Sequence, residues 1–322
     1  MPLTLDDLFA SPDHFLHSFE DNAALFMPMD RAAYHRSIFL DGRISPAADQ
    51  SMRLPLATLT SMPRTSLPAA WIFHMAHCGS TLLARALDEP EASLVLREPL
   101  ALRQTAIRPD AQRLTIVTAM ISKRYRADAP TLIKANVPVN FLLPQLAAAA
   151  PAAHIILLYL PLREYLLAIL RTDNHRNWLR NVTANLAHYL GDLSALTDAE
   201  RAAALWRAQI DIFAEVLSLM PNARALDAER FFAEPERVSK MAALHLGIPI
   251  PDQAIERSVA GPLFSTYSKN PEIAFDNAAR VARRAEVARG SAPEFKQAEA
   301  WLVRNMATAS LPDALLTSAL IR

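Results

Sequence analysis

The feature that most limits the fold is a series of five short apolar runs, at residues 71–76, 93–96, 131–133, 154–160 and 223–226, separated by segments with helical periodicity. None of these runs alternates polar with apolar side chains. A strand with one wet face alternates, whereas a strand covered on both faces does not, so the runs predict buried strands of a mostly parallel sheet. Helices on both faces of such a sheet make a three-layer α/β fold. The clearest helix covers residues 198–220, where Trp206, Ile210, Phe213, Leu217 and Met220 recur at spacings of four and three. Thr197 and Glu200 form a capping box at its start.

The organisation follows from where this pattern begins and ends. Residues 1–68 carry Pro, Asp and Ser clusters around a possible strand at 37–40 and read as an N-terminal extension packed on the core. Residues 69–250 form the α/β core. Residues 251–322 continue the same domain as a helical segment, with polar surface helices expected at 278–289 and 293–306. A chain of 322 residues that is 52% apolar can bury a sizeable core. There is no internal repeat.

Charge and cysteine content exclude several function classes. Lys and Arg number 33 and Asp and Glu also 33, so no overall basicity points to nucleic acid or an anionic membrane, and any anion site must be local. The lone Cys78 rules out an internal disulfide and suits a reducing cytoplasm. The first seven residues lack a basic segment leading into an apolar run, so no secretory signal is visible and a cytoplasmic location is expected. The greasiest stretch, 146–170, is broken by Pro151, His154, Pro161 and Arg163, which reads as a helix followed by a buried strand and not as a membrane span.

The candidate site is the junction between the first core strand and the next helix: His74, Met75, Ala76, His77, Cys78, Gly79, Ser80 and Thr81, then Leu82 onward. A tight strand-to-helix turn presents free backbone N–H groups at the positive end of a helix dipole, and Ser80 and Thr81 add hydroxyls. Phosphate or sulfate suits such a turn, and Gly79 permits close approach. Three familiar anion motifs do not fit. The nucleoside-triphosphatase loop needs a lysine where Ser80 stands, which disfavours ATP hydrolysis and phosphoryl transfer. The dinucleotide fingerprint needs clustered glycines, and no two of the six here lie within six residues of each other. A cysteine phosphatase needs an arginine six residues after Cys78, where Ala84 stands; Arg85 is one place late, which turns it by about 100° on a helix. His74, His77 and Cys78 are metal-ligating types, but neighbours on one turn rarely converge, and no metal is expected.

The loop resembles that of the sulfotransferases, whose 5′-phosphosulfate loop reads Gly-x-Pro-Arg-Ser-Gly-Thr-Thr-x-Leu; residues His74 through Leu83 fall on its successive positions. Leu96-Arg97-Glu98-Pro99 is similar to the segment carrying the catalytic glutamate of tyrosylprotein sulfotransferases. Ile133-Lys134-Ala135-Asn136 resembles the family's Asp-Lys-Thr-Pro segment, residues 151–158 its strand toward the 3′-phosphate site, and Leu205-Trp206-Arg207 with residues 225–249 its C-terminal half. The likeness covers roughly residues 70–250. It implies a P-loop NTPase-like fold and transfer of a sulfuryl group from 3′-phosphoadenosine 5′-phosphosulfate to a small-molecule, lipid or glycan acceptor.

On that resemblance His77, Cys78, Gly79, Ser80, Thr81, Leu82 and Lys134 would bind the 5′-phosphosulfate. Glu98 would serve as general base, with His77 and Lys134 supporting the reaction. Ser268 and Lys269 resemble a late Ser-Lys pair near the nucleotide. Trp206 is expected in the core. The pattern departs from the family at the 3′-phosphate, where an arginine and a serine are replaced by Tyr159 and Leu167. One charge-assisted hydrogen bond is worth about 1.5 to 3 kcal/mol, so the missing arginine alone could weaken donor binding roughly ten- to a hundredfold. Arg163 and Arg171 lie nearby, as replacements or as solvated helix arginines. His77 stands where the family has Arg or Lys. Alongside the enzyme stands a second reading, a chain that keeps the fold and binds a nucleotide or protein partner without transfer.

Overall fold

The computed structural model describes residues 4–61, 66–89, 91–267, 270–305 and 307–321. Near the N-terminus, β1 (His14–Glu20), β2 (Ala23–Pro28) and β3 (Met52–Pro55) form a small antiparallel sheet. The main sheet has five parallel strands, β4 (Ala69–His74), β5 (Val95–Arg97), β6 (Thr131–Lys134), β7 (Ile155–Tyr159) and β8 (Ala223–Asp227), in the order β5-β6-β4-β7-β8. Each of the five unalternated apolar runs supplies one strand. Every residue of β5, β6 and β7 is buried, the burial on both faces that lack of alternation requires.

Helices form a layer on each side. Leu143–Ala149, Leu162–Ile169 and the long Asp198–Leu219 pack together, and Ser80–Ala86 packs with Asp252–Ala260, which in turn touches Pro235–Leu246. The architecture is therefore the three-layer α/β arrangement expected. The long helix starts with the capping box, the Glu200 amide donating to Thr197 Oγ1 and the Thr197 amide to Glu200 Oε2. Trp206 is wholly buried in it, its Nε1 donating to the Leu160 carbonyl at 2.9 Å. Among the described residues no helix is long and apolar enough to cross a membrane.

The sheet order places the site. From β4 the chain moves outward to β5 and returns through β6, then crosses to β7 and β8 on the other side of β4. Connections leaving the C-terminal ends of β4 and β7 thus run in opposite directions. A crevice opens at such a switch point, and ligands of α/β sheets bind there.

One expectation fails. Residues 37–40 are not a strand, because their backbone acceptors are used otherwise. The buried Arg97 guanidinium donates to the carbonyls of Tyr34, His35, Ser37 and Ile38 and pairs with Asp88, which bends the segment around it. Only Leu40 meets the sheet, its N–H donating to the Arg97 carbonyl at 2.8 Å and its carbonyl accepting from Leu100 at 3.1 Å. At the opposite margin Ala319 lies parallel to Ala225 of β8, whose N–H and carbonyl bond Ser318 and Leu320. Residues 278–289 fall on the helix Asn277–Gly290 and residues 293–304 on the helix Ala292–Arg304, which ends two places before the expected boundary.

Candidate active site

β4 ends at His74, and after five intervening residues the helix Ser80–Ala86 begins. Two residues make so tight a reversal possible by taking left-handed backbone angles, His77 at φ 61° and Gly79 at φ 85°. For glycine this conformation carries no steric cost; for histidine it is a strained choice that the surroundings must enforce. Gly79 stands at the helix N-cap without a side-chain cap, so no side chain competes there for the first helical amides. Thr81 Oγ1 is buried and has no hydrogen-bond partner among the described residues. A buried hydroxyl without a partner is costly, which marks the place where a ligand acceptor would be stabilised.

A cavity of about 250 Å³ opens over this turn, lined at one end by His77, Cys78, Gly79, Ser80, Thr81 and Leu82. Leu167, Ala168, Arg171 and His175 form the side beyond β7. The far wall is aromatic and cationic: Phe232, Tyr267 and Phe275, then Arg280, Arg283 and Arg284 from the helix Asn277–Gly290. Among the described residues lining the cavity four are arginines and none is acidic. Behind the wall, Glu229 binds Arg280 through both its oxygens at 2.9 and 2.8 Å and also pairs with Arg284. Burial works to raise the Glu229 carboxyl, but the Arg280 hydrogen bonds and the two guanidinium charges hold it below its ordinary value. Arg283 donates to the Tyr267 hydroxyl at 3.2 Å. One carboxylate shared by two guanidiniums leaves the wall a positive field in a partly enclosed space, where it acts more strongly than in open water.

His77 meets a second histidine. Its ring lies edge-on to His175 with centroids 4.2 Å apart, and Arg171 Nη2 stands 3.1 Å from His175 Nε2. Thr172 contacts His175 Nδ1 at 2.5 Å and caps the helix Asp173–Asn185, which fixes the ring.

On the other side of β4, the ends of β5 and β6 bring Glu98 and Lys134 together. Glu98 takes φ 57°, its N–H donates to the Lys134 carbonyl at 2.8 Å, and its carboxylate forms an ion pair with Lys134 Nζ. The Lys134 side chain is fully buried and that of Glu98 16% exposed. Lys134 Nζ also lies 3.0 Å from His74 Nε2, and His74 lies 4.0 Å from Glu98 Oε1. His74 begins the turn, so this cluster adjoins the anion loop. The described residues lining the cavity include neither Glu98 nor Lys134.

The structure thus gathers the six loop residues and Arg171 around one cavity and sets Glu98 and Lys134 beside the loop's first residue. Arg163 lies away from this cavity. Its guanidinium lies 5.3 Å from the Phe295 ring and lines a separate groove with Phe295 and Glu299, because its side of the helix Leu162–Ile169 faces Ala292–Arg304 and not the loop. Ser268 and Lys269 lie outside the described residues. Tyr159 is buried, which pushes its phenol up to about 12, so it is neutral and cannot replace a cationic phosphate ligand; Leu167 meets the cavity as an apolar side chain. Sequence reasoning missed Arg280, Arg283 and Arg284, taken as part of a solvated helix. Their spacing of three and then one puts all three within one face of that helix, a signal that was available. It also missed His175 and the aromatic wall, which no local pattern ties to the loop.

No protein-family model matches the chain and no curated protein matches its sequence. Among solved structures it is similar to a sulfotransferase from Alicyclobacillus acidocaldarius, at 12% identity and TM-score 0.41 over 75% of this chain and 96% of that one. It is similar also to a sulfotransferase domain from the curacin biosynthetic pathway, at 13% identity and TM-score 0.41 over 77% of this chain and all of that one. The fold class itself rests on the strand order and layering described above.

Proposed function

We propose that the chain is a sulfotransferase-like enzyme that takes a sulfuryl group from 3′-phosphoadenosine 5′-phosphosulfate and delivers it to a hydroxyl or amine of a small-molecule, lipid or glycan acceptor. The observation that carries this reading is the cavity that joins an uncapped strand-to-helix turn to a wall of arginines; among the described residues the Thr81 hydroxyl has no hydrogen-bond partner and the lining holds no carboxylate. A ligand with two separated anionic groups fits both ends. The turn's amides with Ser80 and Thr81 would hold the phosphosulfate end. Arg171 and Arg283 would hold the second phosphate, which Tyr159 and Leu167 cannot, and Phe232, Tyr267 and Phe275 offer aromatic surface to a base.

The donor, when bound, supplies a sulfuryl group whose transfer leaves negative charge on the departing phosphate. The chain's own residues then have two tasks. The loop amides and hydroxyls stabilise charge at the departing oxygen, in a site already oriented for it. Glu98, held in place by its ion pair with Lys134, accepts the proton of the acceptor hydroxyl or amine. Its left-handed backbone is a cost of the kind that accumulates at reactive positions.

A thermal-shift panel with 3′,5′-adenosine bisphosphate, ADP and ATP tests the reading. A ligand at about 100 times its dissociation constant adds roughly 2.7 kcal/mol, so selective stabilisation by the bisphosphate is expected. Equal or greater stabilisation by ATP would remove the donor assignment. The replacement of the family's arginine and serine by Tyr159 and Leu167 favours a second reading, partner binding without transfer, and stabilisation by none of the three would support it.

A further inference from the structure

His74 is held at both ring nitrogens by groups of fixed polarity. Nδ1 lies 2.8 Å from the Met75 carbonyl oxygen, which can only accept, so Nδ1 carries a proton. Nε2 lies 3.0 Å from Lys134 Nζ, and an ammonium can only donate. The reverse arrangement, a cationic imidazole beside a neutral lysine, would move a proton from the more basic group to the less basic by about four pKa units, next to a carboxylate that already pairs with the lysine. The network therefore selects a neutral ring with the proton on Nδ1 and the lone pair on Nε2 facing Lys134.

We propose that His74 is a positioning residue: a neutral imidazole whose Nε2 lone pair anchors the buried Lys134 ammonium and thereby fixes the Glu98 carboxylate paired with it. Lys134 lies at the end of β6 with its side chain wholly out of solvent, and an ammonium there needs acceptors around it. Glu98 provides one and His74 another, while the Phe39 ring sits 5.9 Å from Nζ. The backbone that carries His74 is itself pinned. Asn140 Nδ2 donates to the His74 carbonyl at 2.9 Å and to Gln209 Oε1 at 2.8 Å, tying the strand end to the long helix. The tautomer assignment stands on this geometry and on lysine being the more basic of the two groups. Its consequence for turnover rests on the sulfuryl-transfer reading, in which Glu98 is the base.

Two measurements on the full chain decide the matter. In protein labelled with ¹⁵N at histidine, the long-range ¹H–¹⁵N spectrum at pH 7 should show one ring, identified by its loss in His74→Gln, with Nδ1 protonated and Nε2 bare. In Lys134→Met that Nε2 signal should move, since its donor is gone. A His74 ring that is protonated on Nε2, or cationic, overturns the proposal whether or not the protein transfers sulfate. Where transfer is detected, His74→Leu should lower kcat roughly ten- to a hundredfold, the weight of one charge-assisted hydrogen bond, with bisphosphate binding unchanged. His74→Gln, which retains an acceptor near the Nε2 position, should recover most of that rate. Equal losses in both variants would mean that His74 only packs. An absence of transfer to any acceptor counts against the sulfotransferase reading and leaves the tautomer to be decided by the spectrum.

Discussion

Gly79 and Phe232 stand so close that a Cβ built on the glycine would lie 2.7 Å from Phe232 Cζ. The left-handed Gly79 backbone and the aromatic wall of the cavity are therefore one construction. Gly79→Ala should cost about 1 to 3 kcal/mol, from the positive φ and the displaced ring together, and should weaken bisphosphate binding. Gly42→Ala is the control, because nothing lies within 4 Å of a Cβ there and its stability should stay within about 0.5 kcal/mol of the parent. Urea midpoints measure both.

The Glu98–Lys134 ion pair predicts a non-additive mutant cycle. Glu98→Gln should abolish transfer and also lower stability, since it leaves the buried ammonium without its counter-charge. Lys134→Met alone leaves the carboxylate instead. The double variant Glu98→Gln, Lys134→Met, with neither charge, should be more stable than the sum of the single losses predicts, by about 1 to 3 kcal/mol. Additive losses in denaturation would mean that the two side chains do not interact.

The arginine wall makes a ligand-binding prediction. Arg283→Ala should weaken binding of 3′,5′-adenosine bisphosphate about tenfold, because the residue faces the cavity but is solvent-exposed and its field is partly screened. Arg163→Ala should leave binding unchanged, since its guanidinium stacks on Phe295 in another groove. Titration calorimetry at two salt concentrations separates the two.

Lys123 gives the molecule a pH dependence. Its ammonium is buried under the N-terminal segment, donating to the carbonyls of Leu8 at 3.0 Å and His14 at 2.5 Å, and burial pushes it down to about 7. In the unfolded chain a lysine titrates near pH 10.4. Between pH 7 and about 10 the unfolded state thus binds the extra proton, so this group's contribution to stability rises with pH through that window and is smallest below it. Urea midpoints should show the rise in the parent, and Lys123→Met should flatten it.

How much of this was legible in the sequence depended on whether the signal was local. Five apolar runs gave five strands because strands buried on both faces write their burial into consecutive residues, and Thr197 with Glu200 marked a helix start because a capping box is complete within four residues. The junction from His74 to Leu82 was readable for the same reason. Residues 37–40 misled because their apolar content fits a strand while their carbonyls are consumed by Arg97, about sixty residues away. Arg163 and Arg171 looked equivalent beside Pro161; only the packing of Phe295 against the first separates them. The far wall of the cavity comes from residues about 150 to 205 places beyond Gly79, and its three arginines resemble any solvated helix face until the fold brings them back over the loop.

The pairing of Leu40 with Arg97 on one margin of the sheet, and of Ala319 with Ala225 on the other, has a bearing on how the protein behaves in concentrated solution. An open row of strand amides is a template for a second molecule, and here the outermost strands are short and each is engaged by a segment from elsewhere in the chain. Cutting away residues 318–322 would bare the amide and carbonyl of Ala225 while leaving the loop and its cavity intact. Such a shortened protein should keep its affinity for ligand and lose its resistance to aggregation, a separation that light scattering alongside calorimetry would make visible.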